Sequence, residues 1–145
     1  MQSEVTLRPA NQGDMPFLLD LRQQTMNPYV IASGLTPSTE ELLQRILFRF
    51  DCARIVQLAG EAVGLLKVAR DGKDWYLIQI QLRPAFQGQG LGSQLIRSVI
   101  DEALTEGASL SLHVRKVNPA RRLYERLGFI VVEESTHAYK MRLLS

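Results

Sequence analysis

Hydrophobic and polar positions follow two periods along this chain. Alternation with period two predicts strands in the segments EVTLRPA, ARIVQLAG, EAVGLLKVARDG, DWYLIQIQL, SLSLHVRKV, FIVVEE and AYKMRLL. Apolar residues at helical spacing predict four helices, which begin near Asp14, at Thr36 or Ser38, near Leu91 and at Asn118. Leu47 and Leu104 fall on the apolar faces of the second and third helices, and alternation in SLSLHVRKV directs Leu110, Leu112 and Val114 inward. The predicted order is β-α-α-β-β-β-α-β-α-β-β, which indicates a mixed α/β fold in one domain over residues 1–145.

Length and composition fit a single globular domain. The chain has 145 residues, of which 46% are hydrophobic and 22% charged, so neither disorder nor a fibrous repeat is expected. No apolar run approaches the roughly 18 residues of a membrane span, and the first residues do not resemble a signal peptide. We therefore expect a cytoplasmic protein with no membrane partner.

Charge and cysteine content exclude several further classes. Cys52 is the single cysteine, and no Cys/His spacing resembles a metal site, so neither an internal disulfide nor a bound metal is expected. The formal net charge of +2 is too balanced to predict a nucleic-acid partner.

The most informative segment is RPAFQGQGLG at residues 83–92, with three glycines in five positions between a predicted strand and a predicted helix. Unpaired N–H groups at a helix N-terminus favour an anion, and glycines allow the anion to approach the backbone closely. The alternative is a tight turn that needs positive φ, which would explain one or two of the glycines. The segment predicts a phosphate-binding turn.

Two common phosphate motifs do not fit this turn. A nucleotide P-loop requires a lysine directly after its last glycine, and no lysine lies between Gly88 and Lys116. A dinucleotide fingerprint that started at Gly88 or Gly90 would place Ser93 or Leu95 at its third glycine. Affinity for ATP or NAD is therefore not expected.

Two motifs together resemble one family. LRPAFQGQGLGSQLI resembles the pyrophosphate-binding motif of the GNAT superfamily of acyl-CoA N-acyltransferases, whose pattern Q/R-x-x-G-x-G/A falls on Gln87, Gly90 and Gly92. NPARRLYERLGF resembles the family's next motif, an Asn-capped helix that carries a tyrosine and ends in Gly-Phe. The likeness covers essentially the whole chain and is closest to small bacterial members. It implies a central, mostly antiparallel twisted sheet of about seven strands, splayed between strands 4 and 5, with about four flanking helices.

The resemblance also implies a site and a cosubstrate, acetyl-CoA (coenzyme A), without a metal. Backbone groups near Leu82 would hold the pantetheine arm, orient the thioester and stabilise the oxyanion. Tyr124 would protonate the departing sulfur, and Asn118 would contact coenzyme A. The N–H groups expected to bind the pyrophosphate are those of Gln87, Gly88, Gln89, Gly90, Leu91, Gly92 and Ser93.

The general base remains open. Many relatives carry a glutamate on the fourth strand, where this chain has Gln79 and Gln81, and an amide does not accept a proton at neutral pH. A water chain, His113 or His137 are the alternatives.

The implied function is N-acetyl transfer from acetyl-CoA to a primary amine of a small molecule or peptide, by direct attack in a ternary complex. The alternative is a non-catalytic acyl-CoA-binding sensor or interaction module that retains the fold without the base. Tyr29, Trp75 and Tyr139 could line an acceptor pocket or pack in the core. Because relatives commonly dimerise, a homodimer is among the expected partners.

Overall fold

The structure, a computed structural model, describes residues 5–25 and 38–143. The strands are β1 Val5–Pro9, β2 Ala53–Leu58, β3 Glu61–Asp71, β4 Asp74–Leu82, β5 Ser109–Arg115, β6 Phe129–Glu134 and β7 Ala138–Leu143. The helices are α1 Met15–Gln24, α2 Thr39–Leu47, α3 Leu91–Thr105 and α4 Arg121–Arg126. This order confirms the mixed α/β prediction. None of the described helices is both long and apolar enough to cross a membrane.

The strands form one mixed sheet in the order β1-β2-β3-β4-β5-β7-β6. The β1–β2, β2–β3, β5–β7 and β6–β7 pairs are antiparallel, and the β4–β5 pair is parallel. The parallel ladder joins Asp74–Leu77 to Ser109–Leu112 and ends there, although β4 continues to Leu82. The early end of this ladder confirms the expected splay between the fourth and fifth strands.

The chain divides into two compact units. The first comprises Met1–Lys67 and Gln79–Gln89, and the second comprises Val68–Ile78 and Gly90–Ser145. Helices α1 and α2 belong to the first unit, and helices α3 and α4 belong to the second. Strands β3 and β4 contribute residues to both units, because the boundaries at 67/68 and 78/79 fall inside these strands.

The first unit is built on the apolar faces of α1 and α2. Its core cluster consists of Leu18, Leu21, Ile46, Ala53, Ile55 and Leu65. Leu47 was expected on the buried stripe of α2, but its side chain is 55% exposed. The helix ends at this residue, and Phe48 leaves helical geometry with a ψ of 120°, so the stripe is not continued.

The second unit packs β5 against α3. Leu110, Leu112 and Val114 alternate inward as predicted. In α3 the buried residues are Leu91, Leu95, Ile96, Val99 and Ala103. Leu104 was expected on this face but is 50% exposed, since it lies in the last turn of the helix.

Candidate active site

The turn before α3 has a backbone conformation that glycine adopts far more readily than other residues. Gly88 has a φ of +74° and Gly90 a φ of +84°, both in the left-handed region. A Cβ atom added at either position would meet nothing within 4 Å, so backbone conformation rather than crowding requires these glycines. Gly92 lies in the first turn of α3, where helical geometry does not itself require glycine.

The N–H groups of Gly88 through Ser93 are available to a ligand. Within residues 5–25 and 38–143, none of these six N–H groups donates a hydrogen bond, and the helical ladder begins with the Gln94 N–H donating to the Gly90 carbonyl at 3.0 Å. The N-cap residue, Gly90, has no side chain that could satisfy them. The α3 N-terminus is thus an open set of donors.

The N–H group of Gln87, at the start of this turn, is not available to a ligand as predicted. Its N–H donates to the Pro84 carbonyl at 3.2 Å, which closes the short 3₁₀ turn Pro84–Phe86. That N–H is already used within the chain, so the predicted set of pyrophosphate-binding N–H groups narrows to residues 88–93. The Gln87 side chain has a separate contact, because its Nε2 donates to the Leu82 carbonyl at 2.9 Å.

Leu82 ends β4 with its N–H directed away from β3. The next N–H along the strand, that of Arg83, donates to the Val63 carbonyl at 2.9 Å. Because backbone groups of successive strand residues point to opposite sides, the Leu82 N–H and C=O point to the other side. Gly64 permits the close approach of β3 to β4, since a Cβ atom there would clash with the Gln81 carbonyl oxygen.

Tyr124 is buried, yet its hydroxyl is free. The side chain is 8% exposed and packs edge-on against the Phe129 ring, with 5.9 Å between ring centroids. Among the described residues the hydroxyl has no hydrogen-bond partner, and it is not one of the fully enclosed polar atoms that lack a partner, so it contacts solvent. Burial raises the pKa of Tyr124, so the phenol remains protonated at neutral pH.

Asn118 closes the turn that precedes α4. Its Oδ1 accepts a hydrogen bond from the Ala120 N–H at 2.9 Å, and α4 begins at Arg121, later than the sequence pattern predicted. Its amide nitrogen has no hydrogen-bond partner among the described residues. The contact of Asn118 with coenzyme A stays a prediction.

The candidate bases differ in their surroundings. His113 is exposed, and its Nδ1 forms a hydrogen bond with the Tyr76 hydroxyl. His137 is exposed in the β6–β7 turn, where its carbonyl accepts from the Lys116 N–H at 2.9 Å. The half-buried Gln81 donates from Nε2 to the Thr25 hydroxyl oxygen at 2.9 Å. Thr25 was not predicted, because nothing in the sequence links residues 56 positions apart.

Two of the three aromatic candidates have packing partners. Trp75 is 6% exposed, and its Nε1 donates to the Gly72 carbonyl at 3.2 Å, so this side chain belongs to the core. The Tyr139 ring lies under the Arg121 guanidinium at 4.3 Å and near the Lys116 ammonium at 5.3 Å. Tyr29 lies outside the described residues. Within the described chain, no group of three or more His, Cys, Asp or Glu side chains could hold a metal ion.

Comparisons with known proteins identify the family of this chain. The acetyltransferase (GNAT) family matches residues 18–129. Thialysine N-epsilon-acetyltransferase from Bos taurus is 32% identical over 142 residues, which cover 86% of this chain and 83% of the relative.

Solved structures share the fold over nearly the whole chain. A chimera of the Vibrio cholerae spermidine N-acetyltransferase SpeG and hSSAT is 26% identical, with a TM-score of 0.69 over 98% of this chain and 96% of the chimera. The PaiA N-acetyltransferase from Thermoplasma acidophilum in complex with coenzyme A is 13% identical, with a TM-score of 0.74 over 98% and 99% of the two chains. Family match, relatives and strand order agree: this chain belongs to the GNAT family of acetyltransferases and is an acyl-CoA-dependent N-acetyltransferase.

Proposed function

We propose that this protein moves an acetyl group from acetyl-CoA to a primary amine of a small molecule or peptide by direct attack in a ternary complex. The observation that carries this proposal is the open run of N–H groups from Gly88 to Ser93. Unpaired donors at the positive end of a helix suit a diphosphate, the group that links the two halves of coenzyme A. The absence of side chains at Gly88, Gly90 and Gly92 leaves these donors accessible.

The end of β4 supplies the groups for the acyl end of the cosubstrate. The Leu82 carbonyl oxygen accepts one hydrogen bond from Gln87 Nε2. Its second lone pair can accept a hydrogen bond from an amide N–H of the pantetheine arm. The Leu82 N–H stabilises the negative charge that develops on the thioester oxygen as the amine attacks. Such a donor is worth about 3–4 kcal/mol of barrier in enzymes where it has been removed.

Tyr124 acts as the general acid. As the carbon–nitrogen bond forms and the carbon–sulfur bond breaks, the phenol donates its proton to the departing sulfur, and the proton of the incoming amine passes to water or a base. Burial supports this role, because a phenol with a raised pKa remains protonated through the neutral range. Its free hydroxyl leaves the proton available.

The relatives support a small amine as the acceptor. Their names specify thialysine and spermidine as the substrates of those proteins, and both are small molecules with primary amino groups. A peptide N-terminus is the other acceptor class for this chain. We propose further that residues 1–145 act as one domain in the cytoplasm, and a homodimer remains a prediction.

Release of free thiol from acetyl-CoA tests the proposal. Wild-type protein should release thiol only when an accepted amine is present, with thialysine and spermidine as the first two amines assayed. Tyr124→Phe should lower kcat about a hundredfold or more, because it removes the proton donor, while the Kd for acetyl-CoA stays unchanged. Tyr139→Phe is the matched control, since it also removes a phenol hydroxyl but keeps the ring that lies under the Arg121 guanidinium.

Comparable losses in Tyr124→Phe and Tyr139→Phe would contradict the acid role. The pH profile gives a second test. Because burial raises the pKa of Tyr124, kcat should not fall on the alkaline side until the pH exceeds the ordinary tyrosine value of about 10.

One observation favours a second function, a non-catalytic acyl-CoA-binding module. The segment Ile78–Leu82, at the end of β4, contains no titratable side chain. Tight binding of acetyl-CoA with no thiol release across a broad amine panel would select this module over the enzyme.

A further inference from the structure

The hydrogen bonds around Gln81 fix the direction of its side-chain amide. Gln81 Nε2 donates to Thr25 Oγ1 at 2.9 Å, and the Thr25 hydroxyl donates to the Leu21 carbonyl at 2.9 Å. A hydroxyl has one hydrogen, so Thr25 Oγ1 can only accept from Gln81. The amide must therefore present its nitrogen to Thr25 and direct Oε1 elsewhere.

The Gln81 Oε1 atom accepts no hydrogen bond within the described chain. No described residue donates a hydrogen bond to it, and it is not one of the fully enclosed atoms without a partner, so it contacts solvent. The side chain is half-buried. Because the bond from Nε2 to Thr25 fixes the amide while Oε1 contacts only solvent, the oxygen is held in one direction and available to an N–H donor of a ligand.

Gln81 directly precedes Leu82, whose N–H points away from β3. Both residues lie in the first compact unit, as does Thr25 at the end of α1. The unpaired oxygen is therefore supplied by the residue next to the backbone group assigned to the thioester.

We propose that Gln81 Oε1 accepts a hydrogen bond from the N–H of the incoming amine and that Thr25 is a positioning residue that fixes the amide for this contact. This inference rests on the proposed function. A neutral amide oxygen holds an amine through one N–H and leaves the nitrogen lone pair available for attack. The acceptor is thereby defined as a primary or secondary amine.

A further consequence concerns the proton on the amine. An amide holds an N–H but does not remove a proton, and the segment Ile78–Leu82 supplies no base. The value of kcat/KM for the amine should therefore rise with pH until the amine's own pKa, and amines of lower pKa should reach their plateau at lower pH. Gln81→Glu places a base at this position and should move the rise to lower pH.

The test measures amine binding separately from turnover. Thialysine and spermidine are titrated by calorimetry into wild-type protein loaded with coenzyme A, which holds no acetyl group and so cannot react. Gln81→Leu should weaken binding of the accepted amine about tenfold, the loss of one hydrogen bond, while Gln81→Glu, which retains an acceptor oxygen, should restore it. Gln79→Leu is the matched control, an amide on the same face of the same strand.

Thr25→Val reports on positioning. It should weaken amine binding in the wild-type background but cause no further loss when combined with Gln81→Leu, because Thr25 acts through Gln81. A purely structural link between β4 and α1 would instead lower the melting temperature in all variants and leave the Kd of the amine unchanged.

The outcomes separate the two claims. Equal amine affinity in wild type and Gln81→Leu, or an equal loss in Gln79→Leu, overturns the Gln81 inference even if thiol release is normal. Weaker binding in Gln81→Leu alone supports it, even if no amine causes thiol release, in which case the proposed transfer reaction is what fails.

Discussion

The beginnings of the first three helices differ in how their N–H groups are used. The turn leading into α1 has a capping box, in which Asn11 Oδ1 accepts from Gly13 and Asp14 Oδ2 accepts from Asn11, both at 2.8 Å. At α2, Ser38 Oγ accepts from the Glu41 N–H at 3.2 Å. At α3, Gly90 provides no side-chain cap, and the N–H groups of residues 88–93 have no acceptor in the described chain.

The uncapped start of α3 has a cost in stability. A side-chain cap contributes about 1 kcal/mol to a helix, and glycines at the start of α3 add conformational entropy to the unfolded chain. Among the described α-helices only α2 has such a cap, at Ser38, and the capping box before α1 belongs to the 3₁₀ turn Gln12–Asp14. What distinguishes α3 is the run of six N–H groups without an acceptor, which supports the proposed ligand site at this helix end. The N–H groups that form no hydrogen bond in the folded chain can form hydrogen bonds with a bound ligand.

The far end of α2 gives a second contrast. Lys67 is 1% exposed, and its Nζ donates to the carbonyls of Phe48, Ile46 and Arg45 at 2.7, 3.1 and 3.4 Å. Burial and the nearby Arg22 charge lower the pKa of Lys67 to about 8. This end of α2 is closed by the fold, whereas the start of α3 is open.

Lys67→Met should give the largest effect, on stability alone. Methionine preserves most of the side-chain length but leaves three carbonyl groups at the end of α2 without a donor. We expect the free energy of unfolding to fall by about 3 kcal/mol, which corresponds to a melting temperature lower by about 6–12 °C. Calorimetry measures the melting temperature. Titration with acetyl-CoA measures its affinity, which should not change in the folded protein.

A melting temperature close to the wild-type value in Lys67→Met would mean that these carbonyls find other partners. It would contradict the claim that Lys67 stabilises the fold by binding the end of α2. Lys67→Arg separates charge from fit, because it keeps the charge but requires more space in a site that is already fully enclosed.

Ser93→Asp should separate folding from binding at the open helix end. A carboxylate in the first turn of α3 stabilises the helix by about 0.3–1 kcal/mol through the helix dipole. The same negative charge repels a diphosphate, so the Kd for acetyl-CoA should rise about tenfold or more, equivalent to about 1.4 kcal/mol. Ser98→Asp, at an exposed position of the same helix beyond its first turn, is the matched control.

Opposite signs for stability and affinity in Ser93→Asp are the expected result. If Ser93→Asp and Ser98→Asp alter acetyl-CoA affinity equally, the effect is one of overall charge, and the N-terminus of α3 is not the diphosphate site.

Ser38→Ala should give the smallest effect. It removes the cap of α2 and should lower the free energy of unfolding by about 1 kcal/mol, measured by urea denaturation. Acetyl-CoA affinity should be the same as in wild type, because this helix end is already satisfied by the chain. Weaker binding of acetyl-CoA in Ser38→Ala would show that a cap on one helix affects the ligand site elsewhere.

Several features of the fold were predictable from local pattern. Strand and helix order follow from hydrophobic periods, and the buried Leu110, Leu112 and Val114 follow from alternation. Predictions failed at helix ends, where Leu47 and Leu104 are exposed, because periodicity does not specify the residue at which a helix stops.

The positions of the glycine turn and of Tyr124 were likewise readable, since both are local motifs. The role of Gln87 was not, because its N–H and side chain bind carbonyls that only the folded turn brings near.

The sequence by itself determined the element order, the glycine turn and the family, because these depend on residues that are neighbours along the chain. Tertiary structure alone decided which polar groups remain unpaired. Lys67 meets carbonyls about twenty residues away, and Gln81 meets Thr25 across 56 positions. Pairing of this kind depends on distances in three dimensions, and it leaves Gln81 Oε1 and the α3 N–H groups without a partner among the described residues.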